Sequence, residues 1–111
     1  MKHEIHLHDE PFKLIKNGFK TIEMRLYDEK RKKIKVGDYI EFTNRVTSEK
    51  LVVEVMNLYL FDSFKDLYDN FDKKFIGYKE EEEARPSDME KYYDRKDIEK
   101  YGVVGIEIKV I

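Results

Sequence analysis

The chain has 111 residues, enough for one domain with a hydrophobic core but too few for a cofactor domain beside a substrate domain. Its 22 basic and 24 acidic residues nearly cancel, to a formal charge of -2, so no overall field draws it onto nucleic acid and any polyanion site must be a local patch. The lack of cysteine excludes a disulfide framework, a thiolate zinc site and a cysteine nucleophile, and agrees with a reducing compartment.

Met1-Lys2-His3-Glu4 has none of the apolar run of a signal peptide, and no stretch approaches about 18 apolar residues, so the expectation is a soluble cytoplasmic protein without a membrane partner. Ile5 and Leu7 alternate with His6 and His8, which predicts a half-buried first strand. Alternate positions of such a strand can present two imidazoles on one side. A closed metal site needs further ligands that the sequence does not place, and neither a metal nor a cofactor is expected. Asp9 stands before Pro11 as a helix N-cap, with Phe12, Leu14 and Ile15 apolar and Gly18 at the stop, so a helix of one to two turns follows.

That helix delivers the chain into an alternating segment, Lys20 to Tyr27. Successive side chains of a strand point to opposite faces, which puts Thr21, Glu23, Arg25 and Tyr27 on one face and Ile22, Met24 and Leu26 on the other. The expectation is one core face and one face available for chemistry; an amphipathic strand whose polar face is merely wet is the plainer alternative. Next comes a charged loop, Asp28 to Lys35, whose Lys30-Arg31-Lys32-Lys33 is the densest basic patch of the chain. It reads either as a track for a nucleic-acid backbone or as a solvated hairpin loop. Gly37-Asp38 forms a tight turn into a strand through Phe42.

Ser48 to Leu60 reads as a long strand whose apolar phase slips near Met56-Asn57, the mark of a bulge. Ser63-Phe64-Lys65-Asp66 resembles a capping box opening a helix with Phe64, Leu67, Tyr68 and Phe71 on one face. Between Asp72 and Gly102 the chain is rich in charge and tyrosine, and a loop with one or two short helices is expected. Tyr78, Tyr92, Tyr93 and Tyr101 lie there, able to stack a base or simply to pack; the Glu80 to Glu83 run reads as a solvated face. Val103 to Val110 closes the chain as a strand that pairs back into the sheet. The fold class is α+β, mainly β with short helices. One domain over 1–111 is expected, a small, closed or nearly closed β-barrel with helices at its ends, since closure removes exposed edges.

Gly18-x-Lys20-x-x-Glu23-x-Arg25, preceded by a short helix and followed by Val36-Gly37-Asp38-x-Ile40 and a hydrophobic terminal strand, resembles the ASCH domain, a branch of the PUA-like β-barrels. The resemblance covers most of the chain, from the first strand through Phe42 most clearly. It implies a cleft bearing Lys20, Glu23 and Arg25, with Gly18 a backbone requirement and Gly37 and Asp38 structural, and a role in RNA or nucleotide binding. In some members it implies hydrolysis of RNA or of an acylated cytidine. The trio suits nucleotide recognition physically: Arg25 can hold a phosphate in bidentate fashion, Lys20 supplies a point charge, and Glu23 can accept from a base amine or orient Arg25.

In the acetylcytidine amidohydrolase branch a threonine occupies the position of Glu23 and is the nucleophile, so this chain departs at the decisive place. Thr21 is the nearby hydroxyl, with Lys20 expected on the other face unless the start of the strand reorients it. Hydrolysis would need Glu23 as general base with a raised pKa, and Lys20 or Arg25 at the oxyanion. The leading expectation is therefore an RNA- or nucleotide-binding barrel using Lys20, Glu23, Arg25, the loop Lys30 to Lys33 and Tyr93. The alternatives are a small hydrolase, with Lys20, Glu23 and Thr21 as candidate catalytic groups, and a protein-interaction barrel, favoured if the octet charges are consumed in internal salt bridges.

Overall fold

The computed structural model describes residues Met1–Ile111. Five strands form one mixed sheet: β1 (Lys2–Leu7), β2 (Ile22–Leu26), β3 (Tyr39–Asn44), β4 (Lys50–Phe61) and β5 (Val103–Val110). In space they run β1-β3-β4-β5-β2, with β1 parallel to β3 and every other pair antiparallel. The outer strands β1 and β2 do not pair with each other, so the barrel expected from the sequence takes a half-barrel form with an open seam. The ladder of β4 shifts register between Val55 and Asn57, where the apolar phase slips in the sequence.

Both faces of the sheet are covered. On one, Ile5, Leu7, Ile40, Phe42, Val53, Val55, Val104, Ile106 and Ile108 pack with Phe12 and Ile15 of helix α1 (Asp9–Lys16) and with Ile34. On the other, Ile22, Met24 and Val103 meet Phe64, Leu67 and Tyr68 of helix α2 (Phe64–Asn70), together with Ile76 and Met89. Met89 sits in a 3-10 segment, Pro86–Lys91, and helix α3 (Arg95–Tyr101) leads into β5. No helix is long and apolar enough to cross a membrane.

Local signals act where the sequence places them, with two adjustments. Ser63 caps α2 by accepting from the Asp66 N–H at 3.2 Å, but the helix ends at Asn70 and Phe71 turns extended, its ring edge-on to Tyr59 and Phe61. The N-cap of α1 is His8 rather than Asp9; Asp9 sits inside the first turn, where its carboxylate takes Asn44 Nδ2 at 2.9 Å and Lys13 Nζ at 2.9 Å. Gly18 and Gly37 adopt φ of +81° and +91°, the left-handed region that a side chain would strain. Asp38 ties down the chain start, accepting from His3 Nε2 at 2.8 Å, the Lys35 N–H at 3.1 Å and the N-terminal amine at 3.3 Å. The His3 contact, foremost among these, holds its carboxyl down at about 2.

Asn44 joins three parts of the fold. It is 2% exposed, donates to Asp9, and accepts from the N–H groups of Val46 at 2.9 Å and Thr47 at 3.3 Å. Replacing it by alanine removes three hydrogen bonds, one of them to a charged group, and leaves a void at a buried position, so Asn44→Ala is expected to cost about 2 kcal/mol in urea unfolding at neutral pH. A change within about 0.5 kcal/mol would show that water replaces the side chain at no penalty.

Candidate functional site

The cleft lies along the open seam of the half-barrel, bounded by β1, the start of α1, β2 and the segment from Ile76 to Tyr93. Its volume is about 350 Å³, at the small end of the range for small-molecule sites. Lys20, Glu23 and Arg25 form its floor. Glu23 faces the half-barrel core because it stands opposite Ile106 on β5, and Arg25 stands opposite Val104. The polar face of β2 is therefore buried rather than wet.

Lys20 precedes the first residue of β2, so it escapes strand alternation and reaches Glu23. Its Nζ lies 2.8 Å from Glu23 Oε1, while Arg25 Nη2 and Nε lie 2.8 and 3.1 Å from Glu23 Oε2. The side chains of Glu23, Lys20 and Arg25 are 3%, 9% and 17% exposed. Burial by itself would push the Glu23 carboxyl up; the Lys20 and Arg25 charges outweigh it and hold the group down at about 2. The raised pKa that a general base would need is thus reversed. Burial likewise works against the Arg25 charge, and Glu23 followed by Tyr93 overcomes it, so the guanidinium stays charged.

This cluster carries two positive charges and one negative. Glu23 engages one of the three Lys20 N–H donors and two of the five on Arg25, which leaves donors and a net positive charge beside the cleft. Such a floor suits an anion or a group rich in acceptors. The stem of Lys20 is held by Gly77, where φ is +107° and an added Cβ would stand 3.1 Å from Lys20 Cδ.

Tyr93 lines the cleft, but one face of its ring is stacked on Phe64 at 6.0 Å and its hydroxyl interacts with Arg25, so it positions the guanidinium more than it offers a free stacking face. The exposed ring is Tyr92, 6.4 Å from His8 at the cleft mouth. Tyr78 donates to Asp88 Oδ2 at 2.8 Å and meets the Tyr68 hydroxyl at 2.8 Å, and burial first, then these partners, push its phenol up. Tyr101 lies on α3, away from the cleft lining.

Several sequence candidates are placed elsewhere. Thr21 does not line the cleft; its N–H bonds Phe75 O and its carbonyl accepts from Ile108. Lys30, Arg31, Lys32 and Lys33 stand beyond the end of β2 and none lines the cleft. Arg31 pairs with Asp28 at 2.8 Å, and Lys32 with Glu29 at 3.6 Å. His3 is bound to Asp38, leaving His6 and His8 at the cleft, and no group of three or more metal-ligating side chains forms. His6, His8, Tyr68, Gly77 and Asp88 were missed as site residues, because they reach the cleft from segments distant in sequence. The alternation of β1 carried the only legible signal among them.

The ASCH domain family model matches residues 5–111. Two solved structures match over the full length of this chain. The hypothetical protein PH0355 is 36% identical, covered over 100% of its own chain, with a TM-score of 0.84. Protein PF0455 from Pyrococcus furiosus is 34% identical, covered over 98%, with a TM-score of 0.79. A mutant of an ASCH protein from Zymomonas mobilis shares the fold at 14% identity and a TM-score of 0.72, over 97% of this chain and 67% of that one. No curated protein matches the chain at a significant level.

Removing Glu23 leaves two buried cations facing each other. Glu23→Ala is expected to cost about 3–5 kcal/mol of unfolding free energy at pH 7. With the folded pKa below the ordinary 4.5, its stabilisation is complete above that value and is lost as pH falls toward about 2. Glu23→Gln, titrated from pH 6 to pH 2 by circular dichroism, should therefore lose less stability than the parent over that window. Identical acid profiles would show that Glu23 ionises alike in both states.

Proposed function

The chain belongs to the ASCH domain family, and from that premise we propose that it is an RNA- or nucleotide-binding module whose cleft holds an anionic ligand on Lys20 and Arg25. One observation carries the reading: a buried ion cluster of net positive charge, with donors left over, borders a cavity of about 350 Å³. Glu23 sets the orientation of both cations. Arg25, fixed through Nε and Nη2, offers its remaining N–H groups to phosphate or base oxygens, and Lys20 adds a second donor centre. Tyr93 acts through Arg25, and Tyr92 is the aromatic surface open to a base. The loop Lys30 to Lys33 lies outside the cleft and serves, in this reading, a longer RNA strand rather than a single nucleotide.

The same ion cluster meets the condition set for a protein-interaction barrel, since the octet charges are paired internally. The cavity beside them favours a small or flexible ligand over a flat protein partner. Hydrolysis is the weaker alternative. A carboxylate held at about 2 is a poor proton acceptor, and Thr21 stands outside the cleft lining.

Binding of single-stranded RNA and of cytidine 5′-monophosphate, followed by fluorescence anisotropy and calorimetry, tests the reading. Arg25→Lys keeps the charge on Glu23 but loses the fork, and is expected to weaken binding about tenfold or more, the scale of one charge-assisted hydrogen bond. Arg25→Ala should also reduce the slope of log affinity against log salt by about 1. Affinity that is unchanged in both variants and insensitive to salt would exclude the cleft as the binding site. Incubation with N-acetylcytidine is expected to give no product. Turnover lost in both Lys20→Ala and Glu23→Gln would instead make the chain a hydrolase.

Gly77→Ala is expected to displace the Lys20 stem and weaken nucleotide binding severalfold while the sheet persists, because its Cβ falls against Lys20 in a left-handed backbone position. Unaltered affinity would remove Lys20 from the binding role.

A further inference from the structure

The seam of the half-barrel exposes backbone as well as side chains. In an antiparallel pair, opposite residues alternate between those that exchange hydrogen bonds and those that do not. The Tyr27 N–H donates to Gly102 O at 2.9 Å and the Ile108 N–H to Thr21 O at 2.9 Å. The odd positions of β2 therefore bond β5, including Glu23 opposite Ile106 and Arg25 opposite Val104. Met24, opposite Gly105, is a non-bonded position, so its N–H and C=O point out of the free edge of β2. Ile22 points the same way, and its N–H is taken by Phe75 O at 2.9 Å. Nothing in the protein takes the N–H or C=O of Met24, although the residue is 8% exposed and lines the cleft.

The facing edge behaves alike. Arg45 donates to Leu7 O at 2.9 Å, which turns the odd positions of β1 toward β3 and leaves the N–H and C=O of His6 directed at the seam. A closed barrel would pair these two edges. Here the N–H and C=O of Met24 stand at the cleft without a partner from the protein, and folded proteins rarely leave such groups unfilled.

Resting on the nucleotide reading above, we propose that the backbone of Met24 reads the edge of the bound base. Its C=O accepts from a donor of the heterocycle, and its N–H donates to the adjacent acceptor. Cytosine offers this pair as its exocyclic amine and N3, and adenine as its amine and N1. With the phosphate on Lys20 and Arg25, recognition then divides into an ionic part blind to the base and a backbone part that requires a planar heterocycle bearing neighbouring donor and acceptor. An added β-strand is the poorer occupant. Of the outward-facing residues of β2, Ile22 gives its N–H to Phe75 and Leu26 lies outside the cleft lining, so Met24 alone brings a wholly free edge into the cleft, too short a stretch for a ladder there.

Nitrogen-15 NMR of the wild-type protein tests this without altering the fold. Cytidine and adenosine 5′-monophosphates are expected to move the Met24 amide proton downfield and to slow its exchange about tenfold, as a new hydrogen bond of ordinary strength would. Ribose 5-phosphate should perturb the Arg25 Nε resonance and leave Met24 where it is. A nucleotide that shifts Arg25 but not Met24, or a Met24 response equal for ribose 5-phosphate, overturns the backbone-reading proposal and leaves nucleotide binding intact. No response of Arg25 to any of the three compounds overturns both.

Discussion

A carboxylate buried among apolar side chains is tolerable only if its charge is answered, and Glu23 is answered twice, by Lys20 at 2.8 Å and Arg25 at 2.8 Å. Much of the rest of the site follows from that constraint. Taking three charges out of water is costly, and replacing such a cluster with well-packed hydrophobic groups often leaves a protein as stable or more so. The cluster is thus an expensive way to hold a fold together and an effective way to hold two cationic side chains in one geometry beside a cavity. Because two cations meet one anion, the cluster itself keeps a net positive charge.

The half-barrel provides the setting for that chemistry. Glu23 and Arg25 project to the face of the sheet occupied by Ile106 and Val104, whereas Ile22 and Met24 project to the face covered by α2 and Met89. The strand bearing the motif is consequently packed on both sides, and it meets the cleft at its free edge and through the Glu23 and Arg25 side chains. The tyrosine-rich stretch between α2 and α3 closes one side of that opening. There Tyr78 links Asp88 to Tyr68 of α2 through hydroxyl hydrogen bonds, so polar contacts tie the wall to that helix.

Much of the architecture was legible residue by residue. Alternation at Ile5 and Leu7, the phase slip at Met56-Asn57, Ser63 as a cap and Gly37-Asp38 as a turn each describe what the structure contains, because each depends on neighbours within a few positions. Lys20, Glu23 and Arg25 of the octet meet in one ion cluster. Two inferences failed for tertiary reasons. Alternation on β2 put Glu23 on a face read as open to chemistry, with a merely wet face as the plainer alternative, yet β5 and the half-barrel core bury Glu23. Proximity in sequence suggested that Lys30 to Lys33 and Thr21 join the cleft, yet the course of the chain after Leu26 takes the loop away and the backbone of Thr21 is engaged by Phe75 and Ile108.

The sequence by itself determined which side chains are able to carry charge, which segments form strands and helices, and that one compact octet concentrates three charges. Only the tertiary structure decided that these charges share a buried cluster, that Glu23 is held ionised instead of being primed as a base, and that Met24 turns an unpaired amide toward the cleft. The physical reason is range. Periodicity and capping are settled by contacts a few residues apart, whereas desolvation and the pairing of a strand edge depend on segments brought together from across the chain, here β1, β5 and the stretch around Gly77.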